Sequence, residues 1–166
     1  DNDRDFIGDP NPGLLYGFNL SGSYKNFDMS ILLQGVGSVD RYNDSKKIID
    51  YDTRPFNYTT NILNAWDGEG STNKIPRVSF TDNGSSRISS IFVEDASYFR
   101  LKNIEIGYSF TNIRKLGLQN IRIYVSGQNL FTLTGYTGLD PESTDLIDMG
   151  TYPQSKSFIG GINLSF

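Results

Sequence analysis

Cysteine and histidine are both absent from the 166 residues. Without them there is no disulfide framework, thiolate nucleophile, Cys/His zinc site or Ser-His-Asp triad. Any catalysis would have to rest on carboxylates, Tyr, Lys or Ser, and nothing in the sequence asks for a cofactor. No apolar run approaches the roughly 18 residues needed for a membrane-spanning helix. The 15 basic residues are scattered rather than clustered and the formal net charge is −4, which argues against a nucleic-acid partner. Tryptophan occurs once, whereas Phe, Tyr and Gly number 11, 10 and 17. That balance favours many short strands and tight turns over helices. A mean hydropathy of −0.39 is compatible with a membrane β-barrel, in which half of each strand and every loop is polar. The chain opens on Asp1-Asn2-Asp3-Arg4-Asp5 with no signal peptide. An exported protein has lost that segment, or the chain is a piece of something longer.

What is present is alternation. In Ser157 to Phe166, the residues Phe158, Gly160, Ile162, Leu164 and Phe166 fall on one face of an extended strand. Ile159, Gly161, Asn163 and Ser165 fall on the other. Over 14–24, Leu14, Tyr16, Phe18, Leu20 and Tyr24 oppose Gly17, Asn19, Ser21 and Ser23. After the short turn Lys25-Asn26 the chain returns over 27–37, with Phe27, Met29, Ile31 and Leu33 opposing Asp28, Ser30 and Gln34, a hairpin pattern. A third strand is expected over 98–110, where a phase change between Leu101 and Ile104 predicts a bulge near Lys102-Asn103. A fourth is expected over 121–132, with Ile121, Ile123, Val125 and Phe131 opposing Arg122, Tyr124, Ser126 and Gln128. The segments 38–97 and 133–155 break the rhythm, and 57–66 is compatible with a short helix.

Connections 25–26 and 111–120 are short and fall at one end of the strands; 38–97 and 133–155 are long and fall at the other. Short turns on one side and long loops on the other are what a transmembrane barrel shows, with strands of about 9–11 residues. The expected fold is therefore all-β: a transmembrane antiparallel β-barrel segment with two long extracellular loops. Five strands cannot close a barrel or satisfy both edges in lipid, so the rest must come from another segment or chain.

Several strings resemble the carboxy-terminal region of SusC/RagA-type TonB-dependent outer-membrane transporters. They are Gly8 to Gly13, Tyr16 to Leu20, Phe27 to Ser30 leading to Gln34-Gly35, and Phe92 to Asn103. Tyr124 to Phe131, Gly138 to Glu142, Gly150 to Pro153 and the closing Phe166 complete the set. The resemblance implies that this chain supplies about the last five strands of a 22-stranded barrel whose other strands, plug and TonB-contacting segment lie elsewhere. It further implies a SusD-like surface lipoprotein as partner, energy from TonB–ExbB–ExbD, and outer-membrane lipid around the barrel. Uptake of oligosaccharides or peptides follows from the same likeness, as does a role for terminal Phe166 as a barrel-assembly signal.

Within the long loop, Trp66, Tyr42, Tyr51 and Tyr58 are candidates for stacking on sugar rings or meeting the lipoprotein; packing within the loop itself is the alternative. Arg54 and Arg77 are candidates for a substrate carboxylate. The pair Glu94-Asp95 and the acids Asp140, Glu142, Asp145 and Asp148 form no complete calcium or glycosidase motif and are read as turn caps that face water. Asp1, Asn2 and Asp3 match only the start of a calcium loop. No catalytic or metal residue is assigned, and the chain is not expected to be an enzyme. A soluble all-β carbohydrate-binding module is the rival reading. It requires the apolar rows to face a shared core between two sheets.

Overall fold

A computed structural model of the chain describes residues 5–51, 57–72, 74–81, 84, 87–111, 117–143 and 145–166. The chain divides into two units. One is a sheet unit, Gly13–Gly37, Ser97–Gly135 and Pro153–Phe166; the other is a loop unit, Asp1–Pro12, Ser38–Ala96 and Tyr136–Tyr152.

The sheet unit contains β1 (Leu14–Tyr24), β2 (Phe27–Gly37), β5 (Tyr98–Thr111), β6 (Asn120–Thr134) and β8 (Ser157–Ser165). Their spatial order is β1-β2-β5-β6-β8, and every neighbouring pair is antiparallel. Each strand therefore pairs with the strand before it in the sheet's path, an up-and-down meander whose two outer strands each keep one unpaired edge. At the β1–β2 turn the first residue, Lys25, has φ of 54°. A left-handed residue there matches the twist of the two strands it joins.

The phase change in β5 falls at Lys102. Leu101 pairs with Phe131 while Asn103 pairs with Gln128, so Lys102 faces two residues, Asn129 and Leu130. The register against β2 slips at the same place, between Leu32 and Leu33. Asn129 takes φ of 51°, and its amide donates to the carbonyl of Ser155 at 3.1 Å, in the run leading into β8. The bulge keeps both apolar rows on one face despite the slip.

The loop unit builds a smaller sheet from β3 (Asp40–Asn43), β4 (Val93–Asp95) and β7 (Ile147–Asp148), in the order β4-β3-β7. β3 runs antiparallel to β4 and parallel to β7. Phe92, with no exposed surface, is the centre of this unit's core, beside buried Val39, Tyr51, Ala96 and Tyr136. The rings of Tyr51 and Tyr42 meet Phe92 edge-on at 5.0 and 5.8 Å between centroids, the favoured geometry for aromatic pairs. Asn43 caps a short helical stretch, Asp44–Lys46, by accepting from the Lys46 amide at 2.9 Å. The helix allowed by the pattern at 57–66 is only a five-residue 3-10 turn, Thr60–Asn64. Its Leu63 is exposed, so no apolar face buries there to sustain a longer helix.

Candidate functional site

The register fixes two faces. Residues opposite one another across an antiparallel ladder point to the same side. Phe18 lies opposite Leu33, Leu20 opposite Ile31, and Ile31 opposite Ile104. Ile106 lies opposite Val125 and Ile123 opposite Ile162. One face is thus apolar from β1 to β8, and it is bare: Phe18, Ile106, Val125 and Ile162 expose 55%, 43%, 61% and 64% of their surface. Among the described residues of the unit no second sheet covers it. A continuous apolar face of this extent is foreign to a soluble monomer and is what lipid requires of a barrel wall.

The opposite face is mostly small or polar: Asn19, Ser21, Ser23, Ser30, Gln34, Glu105, Arg122, Ser126, Gln128 and Asn163 share it through the same ladder, with Leu15, Leu32, Val36 and Ile159 the aliphatic exceptions. Its strongest feature is an ion cluster reaching across three strands. Arg122 of β6 donates through Nε to both carboxylate oxygens of Asp28 on β2, at 3.0 and 2.8 Å. Its Nη2 donates to Asp28 as well and to Glu105 of β5 at 2.7 Å. The Arg122 guanidinium also sits 5.1 Å from the Tyr124 ring centroid. The side chains pass over Gly107, where a Cβ would lie 2.4 Å from Asp28 Oδ2 and 2.5 Å from Arg122 Nη2. Gly107 is the gap that lets strands two apart be tied together. Ser21, Ser23 and Ser30 line the same polar hollow.

On the apolar face, Gly35 plays a related part for an aromatic ring. The Tyr16 ring lies across it, so near that a Cβ would fall 2.1 Å from Cζ. The Tyr16 hydroxyl donates to the Tyr98 carbonyl at 3.1 Å, which lets the ring cover the bare glycine backbone without losing its polar partner.

In the loop unit two carboxylates hold segments distant in sequence. Glu94 accepts from Lys46 Nζ at 2.8 Å, from the Thr137 amide at 2.9 Å and from the Thr137 hydroxyl at 2.7 Å. Burial alone would raise its pKa, but the Lys46 ammonium and the two Thr137 donors outweigh it and hold the carboxyl below its ordinary range. Asp148, 1% exposed, accepts from the Tyr136 hydroxyl at 2.7 Å and from the amides of Gly150 and Thr151 at 2.9 and 2.8 Å. Its pKa is also lowered: burial works against the charge, and the Thr151 amide, Tyr136 hydroxyl and Gly150 amide overcome it. Tyr136 moves the other way, pushed up by burial first and then by its bond to Asp148. These acids are fastenings, not the water-facing caps expected from the sequence: both are largely buried because donors from other segments satisfy their charge. Among the described residues no group of three or more acidic side chains is arranged to hold a metal ion.

The candidates named from the sequence separate into two places. Tyr42 and Tyr51 pack on Phe92 in the loop unit's core, and burial raises the pKa of both hydroxyls. Trp66 and Arg77 pair with each other, the guanidinium 5.7 Å from the indole centroid, and Trp66 keeps 36% of its surface exposed. Tyr58 and Arg77 line one shallow hollow with Asp50 and Ile62. Arg54 and the acidic start Asp1 to Asp3 lie outside the described residues. Phe166 is exposed beyond the end of β8. The Arg122 cluster and the Glu94 fastening were missed by sequence reasoning. The signal for the first is slight: Asp28, Glu105 and Arg122 are charged residues on the mostly polar face, but Arg100 on that face is charged as well and bonds Thr132 instead.

No family model matches the chain. It is 37% identical over 180 residues to TonB-dependent receptor P3 of Formosa agariphila, a match that covers 99% of this chain and 17% of that receptor. It is 31% identical over 161 residues to TonB-dependent receptor SusC of Bacteroides thetaiotaomicron, covering 95% of this chain and 15% of SusC. Among solved structures it superposes on the RagAB peptide transporter with a TM-score of 0.82 at 26% identity, over 97% of this chain and 18% of that one. The RagAB peptide importer in its open-open state gives a TM-score of 0.80 over 96% of this chain, also at 26% identity. The chain therefore spans under a fifth of the length of the relatives it matches. With their likeness covering nearly all of it, and with a sheet apolar on one face and polar on the other, the chain belongs to the SusC/RagA family of TonB-dependent receptors, as a carboxy-terminal part of the barrel.

Proposed function

We propose that these residues form the closing strands and two outer loops of a TonB-dependent nutrient importer integral to the outer membrane. The observation that carries this reading is the bare apolar face running unbroken across five strands. The unpaired edges of β1 and β8 are where the remaining strands of the barrel attach, and the polar face lines the lumen against the plug. No bond is made or broken in this role. A SusD-like lipoprotein covers the barrel mouth, TonB–ExbB–ExbD drives uptake through a segment outside this chain, and the cargo is an oligosaccharide or a peptide. The relative SusC and the solved RagAB importer support that assignment. Among loop candidates, Trp66, Arg77 and Tyr58 face substrate or partner, whereas Tyr42 and Tyr51 set the loop core from which they project. Phe166 serves as the barrel-assembly signal.

A soluble binding module would bury its apolar rows between two sheets, and the exposure of Phe18, Val125 and Ile162 counts against it. The test is fractionation followed by affinity capture of the assembled protein. It should stay with outer membranes through salt and carbonate washes, require detergent for release, and bring down a surface lipoprotein. Recovery in the soluble fraction would refute the reading.

A further inference from the structure

The loop unit carries an open slot of about 150 Å³. The backbone builds it by laying the segment before β1 along β3. The Asp40 amide donates to the Asp9 carbonyl at 2.8 Å, and the Asp9 amide donates back to Asp40 Oδ2 at 3.0 Å. Farther along β3 the Tyr42 amide donates to the Leu146 carbonyl at 3.4 Å. Gly8 lets the segment lie so close, since a Cβ there would fall 2.8 Å from Val93 Cγ1 and 2.9 Å from Asp40 Cβ. The walls left between these segments are apolar, formed by Ile7, Pro10, Tyr42, Val93 and Leu146.

Two charged residues share the lining, Asp40 and Arg41. The donors of Arg41 are under-used. Its Nη1 donates to the Asp145 carbonyl and its Nε is buried without an acceptor. Among the described residues it pairs with no carboxylate. A guanidinium carries five N–H donors in a planar fork, and a carboxylate is the acceptor that fits it. Asp40 in turn can still accept from a nitrogen through Oδ1. As for size, an apolar cavity of about 150 Å³ holds a benzene, the bulk of one aliphatic or aromatic side chain. Apolar walls beside one cation and one anion match an amino-acid unit with a free carboxylate, whereas a neutral sugar offers neither the apolar body nor the charge.

We propose that this slot captures a terminal amino-acid residue of leucine or phenylalanine size. Its side chain enters between Pro10, Val93 and Leu146, its α-carboxylate meets Arg41, and its nitrogen meets Asp40. The carboxy-terminal end of a peptide and a free amino acid both present these groups. The inference rests on the importer reading for its purpose, which is to select cargo of this class at the outer loops.

Titration calorimetry on the assembled transporter in detergent tests it with three probes: the tripeptide Ala-Ala-Leu, its carboxy-terminal amide, and free leucine. The tripeptide acid should bind about tenfold tighter than the amide, equivalent to 1.4 kcal/mol, and Arg41→Gln should erase that difference. Leu146→Trp, at a side chain 64% exposed, should fill the slot and weaken the acid about tenfold without altering a core residue. It keeps the test open if Arg41→Gln fails to assemble. Free leucine binding as tightly as the tripeptide makes the amino acid the source, and weaker binding makes it the peptide end. Equal affinity for acid and amide, or an acid affinity unchanged by both substitutions, would overturn the proposal. Fractionation of the same cells separates the two failures. An outer-membrane barrel that does not distinguish acid from amide defeats only the slot; a protein recovered without detergent defeats the importer reading itself.

Discussion

Glu94 illustrates how a single carboxylate can hold a loop in place. It joins Lys46 and Thr137, residues more than 40 positions away on either side, and its side chain is 12% exposed. Glu94→Ala would leave the Lys46 ammonium and the Thr137 amide without their acceptor. The expected loss is about 2 kcal/mol in the stability of the loop unit, in the range for hydrogen bonds to charged groups. It should be read as faster amide exchange at Thr137, and exchange unchanged from the parent would argue against the fastening. The pH dependence follows from the direction of the shift. A carboxylate held below its ordinary value of 4.5 for Glu94, or 3.8 for Asp148, contributes stability that is complete above that value. The contribution is lost as pH falls through the lowered folded value. Protection of the Thr137, Gly150 and Thr151 amides, corrected for intrinsic rates, should therefore hold from neutrality down to about pH 5 and fall below about pH 4. At Gly107 the constraint is steric. Gly107→Ala drives a methyl into the Asp28–Arg122 pair, and the yield of assembled barrel should drop severalfold, whereas Ser126→Ala on the same face should leave it unchanged. These residues were barely legible in the sequence, because a Glu or a Gly shows its role only once its distant neighbours are in place.

The strands behave differently. A period of two is a local property, and Leu14–Tyr24 and Phe27–Gly37 carry it over most of their length, with Leu15, Leu32 and Val36 the apolar exceptions on the polar side, so both faces could be read directly from residue order. Even the bulge left a trace, in the shift from Leu101 to Ile104. The three short strands of the loop unit left none. A parallel pair such as Asn43 with Asp148 joins residues over 100 positions apart, and two to four residues are too few to show a period. The stretch 57–66 misled for a related reason: Leu63 and Trp66 have helical spacing, but Leu63 stays exposed. Substitutions should report the two faces. Arg at Ile106 or Val125 should destabilise the barrel by about 2–4 kcal/mol if the site lies near mid-membrane, while Arg at Ser126 or Asn163 should cost far less. Equal costs on the two faces, measured by denaturant unfolding in lipid, would contradict the orientation. At the end of β8, Phe166→Asp should reduce the amount of assembled protein in the outer membrane, and unchanged surface levels would count against its assembly role.

On the scale of the molecule, the sheet unit lacks what usually holds a domain together. Most of its apolar residues lie on one exposed face and most of its polar residues on the other, and among the described residues both outer strands keep open hydrogen-bonding edges. Such a sheet is stable only when lipid meets one face and further strands meet the edges. The loop unit, in contrast, has a core of its own around Phe92. The polar cluster at Arg122 ties β2, β5 and β6 on the face assigned to the lumen. The importer reading therefore requires contact to alternate between lipid and water along each strand. Because these 166 residues hold no cysteine, single cysteines can be placed one at a time from 121 to 126 in the assembled transporter and spin-labelled. In outer-membrane lipid, collision with oxygen should peak at 121, 123 and 125, and collision with a water-soluble nickel chelate at 122, 124 and 126. Profiles that are flat, or inverted between the two quenchers, would contradict the account.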